Sequence, residues 1–183
     1  LLQQKGNCLA GQFDFDVNNC EQQPDERVSE TARRFSISDY MTLFGQNEDA
    51  ALKTTLTKRV LAAGKPVVVG LNVLRNFYQL QNALYWHPEL GNTAPAGGHA
   101  MVVTGYDDRK GAFRLMNSWG QNWGDKGFIW IKYNDFGRFC KYAYVMRLAA
   151  EDMPVMTDIQ TDEPEQRPLQ RLSGMLEFRS LEG

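Results

Sequence analysis

The sequence predicts an α+β domain, and three observations carry that prediction. A helical pattern over residues 48–64 runs directly into a β-branched strand over 66–73, an ordinary α/β or α+β unit. Short apolar segments then recur at about 99–106, 112–117, 127–133 and 141–148, separated by turns rich in glycine. Repeated short strands of this kind point to a small antiparallel barrel or curled sheet.

Residues 1–47 read as an irregular lead-in. Gly6, Gly11, Asn18-Asn19 and Pro24 punctuate the first 30 positions, and no apolar period survives among them. Asp14-Phe15-Asp16-Val17-Asn18 begins like a calcium loop, but Asn19 replaces the glycine the loop needs and Pro24 interrupts it. A solvated turn is the better reading. Phe35, Ile37, Tyr40, Leu43 and Phe44 then form a strand-and-turn pattern.

The helix after it has its own signals. Asn47 or Asp49 can cap it, and Glu48 and Asp49 suit the positive end of its dipole. Leu52, Leu56 and Val60 make one buried stripe, Gly64 fits the position past the last turn, and Pro66 bars continuation. The strand Val67-Val68-Val69-Gly70-Leu71-Asn72-Val73 reads as buried on both faces. Residues 74–98 are aromatic and loop-like, a segment that caps a core or walls a cleft. Asp107-Asp108-Arg109-Lys110-Gly111 is a hairpin turn. Residues 151–183 turn acidic and proline-containing, a solvated linker over 151–170 with the possible start of a further segment after it.

Composition narrows the function. A formal net charge of -2 gives no electrostatic footprint for nucleic acid or an anionic membrane. The apolar run Val67–Leu71 is far short of the roughly 20 residues that a transmembrane helix needs. Three cysteines, Cys8, Cys20 and Cys140, are too few for a disulfide scaffold. A Cys8–Cys20 bridge and plain thiols both fit.

The chemistry concentrates in Gly97–Ile131. His99, preceded by Gly97 and Gly98, and Asn117 stand at the two ends of a strand-turn-strand, so a hairpin brings an imidazole and an amide together. A neutral amide can fix the imidazole's tautomer without adding negative charge, which suits a thiolate partner better than a serine. Trp119 can shield that hydrogen bond from water. On residue types and spacing alone, the pair also fits satisfied polar groups of a core.

Gly98-His99-Ala100, Gly105-Tyr106, Asn117-Ser118-Trp119-Gly120, Trp123-Gly124 and Gly127-Phe128-Ile129 together resemble the C-terminal, barrel-like half of papain-like cysteine peptidases. The helix and the Lys65–Val69 strand resemble the element that this family places before its histidine loop. The resemblance spans about residues 48–148. It implies a papain-like domain over 48–150, with His99 as general base and acid, Asn117 as its orienter and Trp119 as the cover of that pair. Gly70, Gly97, Gly98 and Ala100 fall beside the substrate. A peptide or protein substrate is implied, and no metal or organic cofactor.

The family's nucleophile is not recognisable here. Cys8 and Cys20 lack its small-residue, aromatic and helical context, and His99 follows them by 91 and 79 residues. The family spacing is about 130–150, which places the nucleophile roughly 30–50 residues before Leu1. Cys140 reads as a core thiol. The expectation is a C-terminal part of a longer peptidase, inactive without the N-terminal helical domain that carries the cysteine. The alternative is a non-catalytic papain-like module that binds peptide or protein. Secretion or an envelope location is a guess from the family-like core and the bridge that Cys8 and Cys20 allow.

Overall fold

Six strands form one antiparallel sheet in the order β1-β6-β2-β3-β4-β5. The computed structural model describes residues 1–147 except 15, 17 and 20; the expected linker over 151–170 and the segment after it lie outside these. In chain order the elements are α1 (Leu2–Lys5), α2 (Glu26–Arg33), β1 (Asp39–Phe44), α3 (Ala50–Ala62), β2 (Val67–Leu74), a 3-10 helix (Arg75–Gln79), β3 (Pro95–Asp107), β4 (Ala112–Met116), β5 (Phe128–Lys132), α4 (Tyr133–Phe139) and β6 (Cys140–Arg147). A single-turn 3-10 helix (Ala10–Gln12) stands between α1 and α2.

The core follows from the period-2 pattern of β2. Val67, Val69, Leu71 and Val73 are buried and share a face with their register partners Val103 and Met101 on β3. Leu115 and Phe113 of β4 and Ile129 and Ile131 of β5 continue that face, and α3 and α4 pack over it. Val68, Gly70 and Asn72 point the other way. Burial on both faces is therefore corrected: Asn72 is exposed and Val68 only half-buried. At Gly70 the backbone is covered by the Tyr142 ring from β6, and a Cβ there would run into it.

The helix over 50–62 is capped by Asp49, whose carboxylate accepts from the N–H groups of Ala51 (2.6 Å) and Leu52 (3.0 Å). Of the expected line Leu52–Leu56–Val60, Leu56 and Val60 pack against the core and Leu52 does not. Leu52 is 45% exposed, whereas Lys53 is 4% exposed and Thr57 fully buried. The cause is polar. Lys53 Nζ donates to the carbonyls of Cys140 (2.9 Å) and Gln46 (3.1 Å), and Thr57 Oγ1 donates to Lys53 O (2.8 Å). Ammonium-to-carbonyl bonds offset the desolvation of the lysine, so the helix turns a cation inward and leaves a leucine out.

The lead-in is more ordered than its sequence suggests. Asp25 caps α2 by accepting from Val28 N at 2.8 Å, a local signal that the missing apolar period hides. β1 pairs with β6, from Asp39 opposite Arg147 to Phe44 opposite Ala143, so the first 47 residues contribute the sheet's edge strand. The 74–98 segment caps the core with Phe77 and Trp86, both fully buried. Asn76 organises it: its Nδ2 donates to the carbonyls of His87 and Leu90, and its Oδ1 accepts from Trp86 Nε1 at 3.0 Å. Among the described residues no helix is long and apolar enough to cross a membrane.

Candidate active site

The β3–β4 hairpin is fixed at its turn by Asp107, whose carboxylate accepts from Arg109 N (2.8 Å), Lys110 N (3.2 Å) and Lys110 Nζ (3.0 Å). The Lys110 ammonium, and then its backbone N–H, hold the Asp107 carboxyl below its ordinary range. From there the register runs to Val102 opposite Met116. That register sets His99 on β3 across from the residues just past the end of β4, where Asn117 begins a turn. Asn117 N donates to Gly127 O at 2.9 Å, tying the turn to the start of β5.

His99 Nε2 lies 2.9 Å from Asn117 Oδ1. The backbone N–H of Ser118 donates to the same oxygen at 2.8 Å. That second bond decides the amide's orientation, because a backbone N–H cannot accept and an NH2 group in that place would face this donor. An amide oxygen only accepts, so Nε2 carries the hydrogen and the neutral imidazole has its lone pair on Nδ1. Nδ1 has no partner among the described residues and is free to take a proton. Asn117 Nδ2 is buried, also without a partner among them.

Aromatic rings enclose this pair. The Trp119 ring lies 4.4 Å from the His99 ring, tilted by 35°, and its side chain is 37% exposed. The Phe77 ring lies 5.8 Å from both. Trp123 packs 4.9 Å from Phe77 and donates its indole N–H to Phe77 O at 3.1 Å. Tyr78 stacks on the outer face of the cluster, 5.0 Å from Trp119 with 22° between the planes. Reading the sequence singled out Trp119 but not Phe77, Tyr78 or Trp123 as part of this cluster. Phe77 and Tyr78 carry only the aromatic character of the 74–98 segment, which serves a core equally well, whereas Trp123 is part of the Trp123-Gly124 motif, which does not itself say what the ring packs against.

The four glycine and alanine positions divide between two faces. Gly70 pairs with Ala100 and Asn72 with Gly98, on the face away from the core. Gly97 pairs with Val73 and shares the imidazole's side of β3. The structure thus brings His99, Asn117 and Trp119 together, and sets Gly70, Gly98 and Ala100 on the opposite side of the same strands.

Neither described cysteine meets the imidazole. Cys140 is buried, and that burial pushes its thiol up to about 12, so it stays protonated. Cys8 is a half-buried free thiol just past α1, whose Leu2 carbonyl accepts from Ile37 N just ahead of the edge strand β1, and β6 and β2 stand between β1 and His99's strand. Cys20 lies outside the described residues.

A family model described as papain family cysteine protease matches residues 3–148. The chain belongs to the papain family of cysteine proteases. The match reaches well ahead of residues 48–148, where the motifs concentrate, and takes in most of α1 and all of α2 and β1. Cysteine proteinase 3 of Solanum lycopersicum is 33% identical over 74 residues, covering 39% of this chain and 21% of that protein. Pro-cathepsin H of Bos taurus is 25% identical over 116 residues, covering 62% and 31%. Xylellain, a cysteine protease from Xylella fastidiosa, shares the fold at a TM-score of 0.63 and 22% identity, over 81% of this chain and 59% of that one. The chain thus matches between about a fifth and a third of the length of these two curated relatives.

Proposed function

We infer that this chain supplies the base half of a thiol peptidase site, with His99 as general base and acid and Asn117 as its orienter. The observation that carries the reading is the pinned amide: Ser118 N and His99 Nε2 both address Asn117 Oδ1, which commits the Nε2 hydrogen and leaves Nδ1 for chemistry. A cysteine in the N-terminal domain of the whole protein provides the thiol. Cys140 is unsuited, being held protonated by burial.

The reaction follows from those atoms. Nδ1 takes the thiol proton, giving a thiolate beside an imidazolium whose other N–H remains on Asn117. The sulfur attacks the peptide carbonyl carbon. As the C–N bond breaks, Nδ1–H gives its proton to the leaving amine, and an acyl-enzyme remains. Nδ1 then takes a proton from water, the hydroxide attacks the acyl carbon, and the S–C bond breaks as the thiol is restored. Trp119 covers the His99–Asn117 bond and borders the leaving-group side. Excluding water there strengthens the bond through the step in which the ring is charged.

In the whole protein, a thiol-directed electrophile should label one cysteine upstream of Leu1, and His99→Ala should abolish peptide hydrolysis. Wild-type rates in that variant would overturn the reading. A serine, glycine or alanine at the expected cysteine position would favour the peptide-binding module instead.

A further inference from the structure

Beside the imidazole the fold holds a cavity that the chemistry at His99 does not use. It has a volume of about 320 Å³ and lies where the end of β2 and the start of β3 meet the α4–β6 junction. Its apolar wall includes Val73, Leu74 and Phe139, and its charged lining is Arg138 and Lys141. Gly97 also lines it, two residues before His99 on the same strand. Asn72, which points away from the core, and Pro95 complete the lining, so the cavity opens at the strand ends and not on one face of the sheet. At about 3.4 Å per residue, Gly97 sets its border roughly 7 Å along β3 from the histidine's backbone.

Neither cation has an ion-pair partner among the described residues. The ion pairs among the described residues are Lys58–Asp108, Arg109–Asp107 and Lys110–Asp107, and no carboxylate lines the cavity. The nearest acid along α4 is Asp135, one turn before Arg138, and it does not line the cavity either. The Arg138 guanidinium lies 5.0 Å from the centre of the Phe139 ring, so a ring in the wall backs the charge. Lys141 is half-buried. Arg138 is exposed and its charge also acts on the Asp135 carboxyl, without an ion pair among the described residues. A concave, partly apolar volume bordered by these two cations is complementary to an aliphatic stem ending in an anion.

We propose that this cavity takes an acidic side chain of the peptide, a glutamate above all, and so selects acidic sequences beside the bond presented to His99. The proposal rests on the peptidase reading in taking a peptide as ligand. Methylenes of the glutamate stem lie on Val73, Leu74 and Phe139, and its carboxylate receives charge-assisted hydrogen bonds from Arg138 and Lys141. Glutamine has the same shape but no charge to offer, and a basic side chain is repelled.

The test is a 1H–15N chemical-shift titration of this 183-residue chain with N-acetyl-glutamate amide and N-acetyl-glutamine amide. The glutamate compound should shift the amide resonances of Val73, Gly97 and Lys141 and saturate, with the glutamine compound about tenfold weaker, as expected for a bond to a charged group. Lys141→Met and Arg138→Met should each remove most of that preference while the remaining spectrum keeps its dispersion. Equal affinity for the two compounds, or no shift at these residues with either, overturns the proposal. Because the titration reads binding without turnover, failure of peptidase chemistry at His99 would leave its outcome unchanged. Conversely, loss of the acidic preference would leave the chemistry at His99 standing.

Discussion

Replacing Asn117 by alanine isolates the one bond on which the catalytic reading turns. In the folded chain Asn117 Oδ1 accepts from His99 Nε2 at 2.9 Å and from Ser118 N at 2.8 Å. Ser118 is exposed, so its N–H turns to water when the amide is removed, and that loss costs little. The imidazole is half-buried under Trp119 and has no other acceptor for Nε2–H among the described residues. A net hydrogen bond of about 1 kcal/mol therefore biases the two neutral tautomers about fivefold toward Nε2–H. The bias is readable without any nucleophile, from the ring 15N shifts of His99 above the ordinary histidine titration range. Wild type should show the Nε2–H form enriched about fivefold over the ratio of a free imidazole, and Asn117→Ala should bring the ratio back to that of a free imidazole. In the whole protein the same variant should lower kcat severalfold at an unchanged KM, since the bond acts on the base and not on substrate. A dominant Nδ1–H tautomer in wild type, or a ratio indifferent to the substitution, would refute the reasoning.

Other consequences follow from the packing. Trp119→Ala should cost about 2 kcal/mol in urea unfolding, less than a fully buried tryptophan because its side chain is 37% exposed, and it should weaken the His99 tautomer bias by opening that bond to water. Gly70→Ala drives a methyl group into the Tyr142 ring and should destabilise by about 1–3 kcal/mol; Tyr142→Ala added to it should restore most of the loss, and a simply additive double variant would contradict the close approach. Lys53→Ala leaves the carbonyls of Cys140 and Gln46 without their donor and should cost about 2–3 kcal/mol by denaturant titration, whereas Leu52→Ala, on the exposed face, should stay within about 0.5 kcal/mol. Cys140 should resist alkylation in the native chain and react on unfolding. Its thiol is raised in the folded state to about 12 from the ordinary 9.0, so the folded chain binds the extra proton and this contribution to stability is lost as pH climbs across that window; a transition midpoint flat over that window in wild type and Cys140→Ala alike would count against it.

What the sequence made legible, and what it hid, divides along a physical line. Strand positions and the hairpin turn were readable because period-2 burial and turn chemistry are local: the segments near 99–106, 112–117, 127–133 and 141–148 appear as β3 to β6 within a few residues. His99 and Asn117 were readable because their motifs sit at the two ends of one hairpin, so short-range geometry is enough to bring them together. The errors fall where a distant partner decides. Lys53 is buried because Cys140 O, 87 residues away, accepts from it, and a one-dimensional stripe assigns such a position to solvent. Phe77 comes to the histidine, and Tyr78 to Trp119, from the 74–98 segment that Asn76 holds, a residue with no sequence signal of its own. The division of Gly70 and Ala100 from His99 follows from strand register, since alternate residues of one strand serve opposite faces. Residues next to His99 in sequence therefore divide between the two faces of the sheet. The cations at the cavity follow the same logic. Arg138 and Lys141 look like ordinary surface charges in the sequence, and only the turn from α4 into β6 sets them around a volume that Gly97 also borders. The cavity is therefore assembled by long-range packing, while His99 and Asn117 are brought together by one hairpin. Substitutions in α4 should accordingly change which peptides bind while leaving the tautomer of His99 alone.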